Sequence, residues 1–408
     1  MTAPAPSPEA VRGEFLLDPA ISYLNHGGFG ACPAPVVAAR RREAERIEAD
    51  PTGFYRHRVD GALAEALAPV AGALGAAPGD LAWVPNATFG LNLVARSLAD
   101  RLGPGDEVLL SDVEYGSQVM LWRWLCERTG ARLRLAPVDG VARSGGSVAD
   151  AVEGSVSAAT RVALLSHVTS ATAQRLPVEE IAGRLRSRGV VVVVDGAHVP
   201  GQVELDLASV GADYYVGNLH KWYAAPRGAA VLHAPGREAQ GRLDPLVVSW
   251  GGTDRADPLA RRVHSPGTVD PTGYLVAPEA LAFHRQVLTP ARPGARRRLA
   301  AASGALGDLG FARVGSHDEN LLMSAFELPV GVEPAALESA LEEAGVEAVV
   351  TEAPGRRLLR ICVAWYTTDE DVERLLDVVR AARRPGRLPV DAASLQDRAA
   401  QQATFVPE

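Results

Sequence analysis

Short apolar runs, recurring with helix-like segments between them, constrain this chain more than any other feature. They are LAWV (81–84), EVLLS (107–111), RVALLS (161–166), VVVVVD (190–195), DYYVG (213–217) and GAAVLH (228–233). The intervening segments have helical spacing. NATFGLNLVARSLADRL follows the first run, a stretch closed by Gly130 follows the second, and PVEEIAGRLRSRG, with Pro177 near its start and Gly189 after it, follows the third. Strands that are apolar on both faces and alternate with amphipathic helices belong to a parallel sheet covered on both sides. In such sheets ligands sit at the carboxyl ends of the strands. That rule selects Asn86 to Thr88, Glu114 and Tyr115, Ser166 to Ser170, Asp195 to His198, and Asn218 to Lys221.

From about residue 276 the pattern changes to a mixture of helices with one clear strand, RRLLRICVAWY, and a last helix for which Thr368 is a plausible N-cap. The expected organisation is a lead-in over 1–20 with no pattern to bury, a large α/β domain over 21–275, a smaller α+β domain over 276–385, and a loose tail over 386–408. A net charge of −8 argues against nucleic acid as a partner. Cys32, Cys126 and Cys362 have neither disulfide nor zinc spacing, so no metal site is expected and a cytoplasmic location is. No apolar run approaches the ~20 residues of a membrane span.

Basic residues in this chain are nearly all arginine, yet GNLHKW (217–222) places a lysine just beyond an apolar run. A lysine amine can lose its proton and attack a carbonyl, whereas a guanidinium effectively cannot. Asp195, after a run of valines, is expected to be desolvated and to need a positive or hydrogen-donating partner. Singly, Asp195 also fits a turn cap and Lys221 a surface position. Together they match what pyridoxal 5′-phosphate (PLP) needs: a carboxylate that keeps the pyridine nitrogen protonated and a lysine that joins the aldehyde. Asn86, Ala87 and Thr88 at a helix start suit a phosphate, although Asn86 taken singly fits a simple cap better. Arg360, flanked by apolar residues, either binds a substrate carboxylate or faces solvent.

NATFGLN, LSHVTSATAQRLPVEEI, VVVVDGAHVPG, ADYYVGNLHKW, HSPGTVDPTG and LLRICVAWYTTDEDVERL together resemble the class V aminotransferases, which are fold-type I PLP-dependent enzymes. YLNHGGFG resembles their isopenicillin N epimerase-like branch, which also holds carbon–sulfur lyases. The resemblance implies a mostly parallel seven-stranded sheet in the large domain and a homodimer with shared sites. It implies that Lys221 joins the cofactor and carries the Cα proton, that Asp195 binds the pyridine nitrogen, and that Ala197 packs under the ring. His198 and Ser170 would lie near the phenolic oxygen, Ser170 replacing a usual asparagine, and Tyr115 would stack over the ring. Ala87, Thr88, Asn218 and His220 would hold the phosphate, with Thr268 reaching the phosphate of a partner subunit. Arg360 would bind the substrate carboxylate, with Asn25 and His26 lining the pocket mouth.

The cysteine that desulfurases of this family carry shortly before the arginine strand is missing from VEAVVTEAPGRR. The expected activity is therefore β-elimination on a cysteine S-conjugate or cysteine sulfoxide through a Cα carbanion, and not persulfide formation. The alternatives are amino-acid epimerisation, with Tyr115 or His26 as second acid/base, and transamination.

Overall fold

The computed structural model describes residues 5–264, 266–315, 318–353 and 355–383. Its main sheet has seven strands in the order Leu81–Val84, Ala230–His233, Tyr214–Asn218, Val191–Asp195, Thr160–Ser166, Glu107–Ser111, Arg132–Ala136. All neighbours run parallel except Ala230–His233, which is antiparallel to both strands beside it. The valine run explains why the sheet is covered twice. Val192 and Val194 enter the core on one face, with Leu109 and Leu165, while Val191 and Val193 enter the core on the other, with Leu110 and Leu164. Successive strand residues alternate faces, so only a strand buried on both can be all valine. Each fully buried side chain contributes about 1.5–3 kcal/mol of transfer free energy.

Six of the seven strands coincide with the apolar runs. The seventh, Arg132–Ala136, is an edge strand reading RLRLA with Arg132, Arg134 and Leu135 exposed. Charged edges discourage pairing with other chains, and the same charges hide the strand from a search for apolar runs.

The C-terminal part carries a four-stranded antiparallel sheet in the order Val349–Ala353, Arg356–Cys362, Met323–Glu327, Ala312–Arg313. Arg360 thus lies on an inner strand, opposite Ala325 on one side and Val349 on the other. The last helix, Asp369–Ala382, is capped by Thr368 in a reciprocal box with Asp371. The tail expected over 386–408 lies outside the described residues.

The N-terminal segment differs from the sequence expectation. Pro8–Arg12 forms a helix, Val11 and Phe15 are buried, and Arg12 pairs with Asp371 at 3.2 Å. Ser22–Tyr23 then adds a parallel strand to Val346–Glu347. Two apolar residues spaced by four, among Pro, Glu and Gly, are too sparse to register as a pattern, yet they suffice to seat the segment on the C-terminal part.

Arg356, the first residue of the Arg360 strand, forms a buried ion pair with Asp139 of the large sheet's flanking helix Val138–Arg143. Removing one partner from such a pair strands the other charge in a poorly solvated place. Asp139→Ala is expected to lower the unfolding free energy in urea titrations by roughly 3–5 kcal/mol. A change below about 1 kcal/mol, the scale of a surface pair, would show that the contact is dispensable.

Candidate active site

Parallel register brings the ends of three central strands level: Ser166 lies opposite Asp195, and Asp195 opposite Val216, two residues before Asn218. The chain opens there into a cavity of about 810 Å³. Asp195 and Lys221 both line it. Burial pushes the Asp195 carboxyl up, offset by the Ala197 N–H that donates to Oδ1 at 2.9 Å and by the Lys221 amine. Burial pushes the Lys221 amine down to about 8, with Asp195 opposing and Arg360 adding to the fall. The amine lies 3.1 Å from His198 Nε2, and the same desolvation holds the His198 imidazole well below its usual range. Each charge offsets part of the other's desolvation cost.

The helix Ala87–Ser97 begins at the cavity wall. Its free N–H groups are assigned one by one. Asn218 Oδ1 accepts from Ala87 at 2.8 Å and Asn86 Oδ1 accepts from Phe89 at 2.9 Å. Asn86 therefore is a cap, and Asn218 serves the helix start directly. Thr88 keeps its N–H and hydroxyl available at the positive end of the helix. His220 lines the same end, with Nδ1–H donating to the Ala229 carbonyl at 3.1 Å.

Arg360 lines the same cavity. It is 5% exposed, and its hydrogen-bond partners among the described residues are neutral. Nη1 donates to the Ser170 carbonyl and hydroxyl at 2.8 and 3.1 Å, Nη2 donates to Asn25 Oδ1 at 3.1 Å, and Nε has no partner. A buried guanidinium with only neutral acceptors is a receptor for an anion.

These features fit PLP. The second Asp195 oxygen has no protein partner among the described residues, Thr88 offers donors at a helix start, and Lys221 supplies an amine between them. Thr88, His220 and Asn218 would hold the phosphate end, Asp195 the ring nitrogen, and Ala197, His198 and Tyr115 the ring's surroundings. Tyr115 lines the cavity and is 51% exposed.

The structure moves one expected residue off the cavity and gives three others additional neighbours. His26 does not line the cavity. It is fully buried, and both ring nitrogens are engaged by protein. Ser170 lines the cavity, and its carbonyl and hydroxyl also accept from Arg360. Thr268 is exposed and away from this cavity, on a segment tied back by the Tyr55 hydroxyl donating to the Val269 carbonyl at 3.0 Å. Cys362 is buried, with Gly27 N–H donating to Sγ at 3.4 Å, and lies off the cavity lining.

Sequence reasoning assigned no role to Glu114, which also lines the cavity. Its carboxyl accepts from Ser111 Oγ at 2.6 Å and from Ser166 N–H at 2.9 Å. Burial, aided by the nearby Asp195, raises it to about 7 against those hydrogen bonds. The available signal was the one that marked Asp195, an acid just past an apolar strand. A second signal is compositional: Lys221 is the only lysine in the sequence.

The family model for class-V aminotransferases matches residues 23–375. An isopenicillin N epimerase from Streptomyces clavuligerus is 35% identical over 91% of this chain and 98% of its own length. A putative L-cysteine desulfhydrase from Oryza sativa subsp. japonica is 31% identical over 63% of this chain and 53% of its own. Among solved structures, the cysteine desulfurase CsdA from Escherichia coli superposes with a TM-score of 0.79 over 93% of this chain and 98% of its own, at 23% identity.

The His220 geometry carries a testable consequence. Burial lowers its pKa to about 4, with the Lys221 charge acting in the same direction. Neutral His220, with Nδ1–H committed to Ala229, presents a lone pair at Nε2 and repels a phosphate oxygen. Holding a phosphate there requires protonation. NMR titration of the imidazole is expected to give about 4 without cofactor and a value at least one unit higher with PLP bound. An unchanged titration would remove His220 from the phosphate site.

Proposed function

The chain belongs to the class-V aminotransferase family of PLP-dependent enzymes, and from that premise we propose that it is a carbon–sulfur lyase acting on a cysteine S-conjugate or cysteine sulfoxide. The observation that carries the reading is one cavity holding the chain's only lysine and a buried arginine with no carboxylate partner among the described residues. Bound there, PLP supplies an electron sink for negative charge at the substrate Cα. The residues do the rest. Arg360 grips the substrate carboxylate with two N–H groups, and Asn25 and Ser170 hold its plane. Asp195 keeps the ring nitrogen protonated. Thr88 and His220 fix the phosphate end, and Tyr115 closes the open side. Lys221 Nζ, with its pKa lowered toward neutrality, takes the Cα proton. The pair left at Cα becomes the Cα–Cβ double bond as the Cβ–S bond breaks, and the proton on Nζ goes to the departing thiolate, or to the sulfenate when the substrate is a sulfoxide.

Cys362 supports elimination over persulfide formation. Its thiol is pushed up by burial and packed against Gly27, and it has no mobile loop to carry it to substrate. Epimerisation is the second reading, favoured by the match to the epimerase along nearly the whole chain. Tyr115 would then return the proton from the far face, since His26 is walled off. In a two-fold dimer, Thr268 would complete the phosphate site of the second copy.

Incubating the holoenzyme in D₂O with S-methyl-L-cysteine, S-benzyl-L-cysteine and S-methyl-L-cysteine sulfoxide separates these readings. Elimination releases equal amounts of pyruvate and ammonia. Inverted, Cα-deuterated amino acid without pyruvate would assign an epimerase, and a protein-bound persulfide formed in a parallel incubation with L-cysteine would assign a desulfurase. Arg360→Gln is expected to raise KM roughly 10–100-fold, the scale of a lost charged hydrogen bond. Lys221→Ala should abolish turnover.

A further inference from the structure

The turn NHGGFG, residues 25–30, in which His26–Phe29 form a single turn of α-helix, is stitched to both halves of the site. On the lysine side, His26 Nε2–H donates to the Lys221 carbonyl at 2.8 Å. The tautomer follows from the other nitrogen. Nδ1 accepts from the Ala31 N–H at 3.3 Å, so the ring proton sits on Nε2, and the Tyr366 hydroxyl donates to Nδ1 at 2.8 Å. Trp222, Trp365 and Tyr366 surround the ring at centroid distances of 5.1 to 5.6 Å. Gly30, at φ +68°, presses on the same backbone, where a Cβ would stand 1.8 Å from the His220 carbonyl oxygen. Arg227 Nη1 donates to the Gly30 carbonyl at 3.0 Å.

On the arginine side, Asn25 accepts from Arg360, and the Cys362 N–H donates to the Leu24 carbonyl at 2.7 Å. Adjacent residues thus hold the two groups that must meet one substrate: Asn25 the guanidinium, His26 the backbone of the lysine.

We propose that His26 is a positioning residue for Lys221, and that the turn 25–30 is the splint that sets the lysine amine against the arginine. This rests on the reading that Lys221 is the residue joined to PLP. The imidazole donates a hydrogen bond from a fully buried, rigid cage, so the Lys221 carbonyl has one orientation and its side chain one point of departure. A shift of about 1 Å in such a group costs on the order of 100-fold in rate. Histidine suits the task because it bridges two hydrogen-bonding partners through a flat ring that the surrounding aromatics clamp.

The test uses the full-length chain freed of cofactor and reloaded with PLP. The readouts are the rate of covalent capture at Lys221, the absorbance maximum of the product, and the pyridoxyl-labelled peptide after borohydride reduction. Wild type is expected to be labelled at Lys221. If it is not, the functional reading fails, and this inference fails with it. With wild type labelled, His26→Leu is expected to slow capture roughly 10–100-fold and to shift the absorbance maximum. His26→Gln, which keeps a side-chain N–H donor, is expected to recover most of the rate. Leu and wild-type proteins with equal capture rates and spectra would overturn the proposal while leaving the function intact. So would a Gln variant that folds yet is no faster than Leu. Should His26→Leu fail to fold, Tyr366→Phe, which removes only the hydroxyl donating to Nδ1, is expected to slow capture several-fold. An unchanged rate there would overturn the proposal.

Discussion

The site depends on the mutual compensation of two desolvated charges, the Asp195 carboxylate and the Lys221 amine. Either alone would revert toward its neutral form at a strand end surrounded by valines and other apolar side chains. Each lessens the other's cost, and the balance leaves the lysine far nearer neutrality than a surface lysine. The sheet makes this possible. Parallel strands end together on one side, so residues from Ser166, Asp195 and Asn218 onward converge without any long-range distortion of the backbone.

The remainder of the cavity is organised around anions. Its lining includes Thr88, His220 and a helix start, and also a guanidinium held by neutral oxygens. Arg360 sits on an inner strand of the C-terminal sheet, and the Arg356–Asp139 pair ties that strand to the large sheet's flank. The span between the two anion sites is therefore set by the packing of two separately formed sheets. The turn 25–30 crosses the same gap from a third direction, so its sequence, two polar residues followed by glycines, reflects contacts on both sides.

Much of this was legible in the residues. The double-sided valine run announced a covered parallel sheet, and the acid and lysine past two strand ends do share one cavity. What escaped has physical causes. Arg132–Ala136 is an edge strand whose arginines break the apolar signature. Helix Pro8–Arg12 buries too few side chains to leave a periodic trace. His26 read as a pocket residue because its neighbours Asn25 and Gly27 do line the cavity, and sequence adjacency does not reveal which way a turn points its ring. The link from Ser170 to Arg360 joins residues 190 positions apart, which no local pattern records. Glu114 shares the grammar of Asp195, an acid just past a strand, and only the serines around it distinguish its role.

An exterior whose cations are all guanidinium has a chemical corollary. Acetyl groups, aldehydes, activated esters and isopeptide tags seek primary amines, and beyond the chain's own N-terminus this protein presents them with a single one, recessed at the floor of its cleft. Electrophiles that would decorate the outside of most proteins at many lysines find a single lysine here, and it lines the cavity.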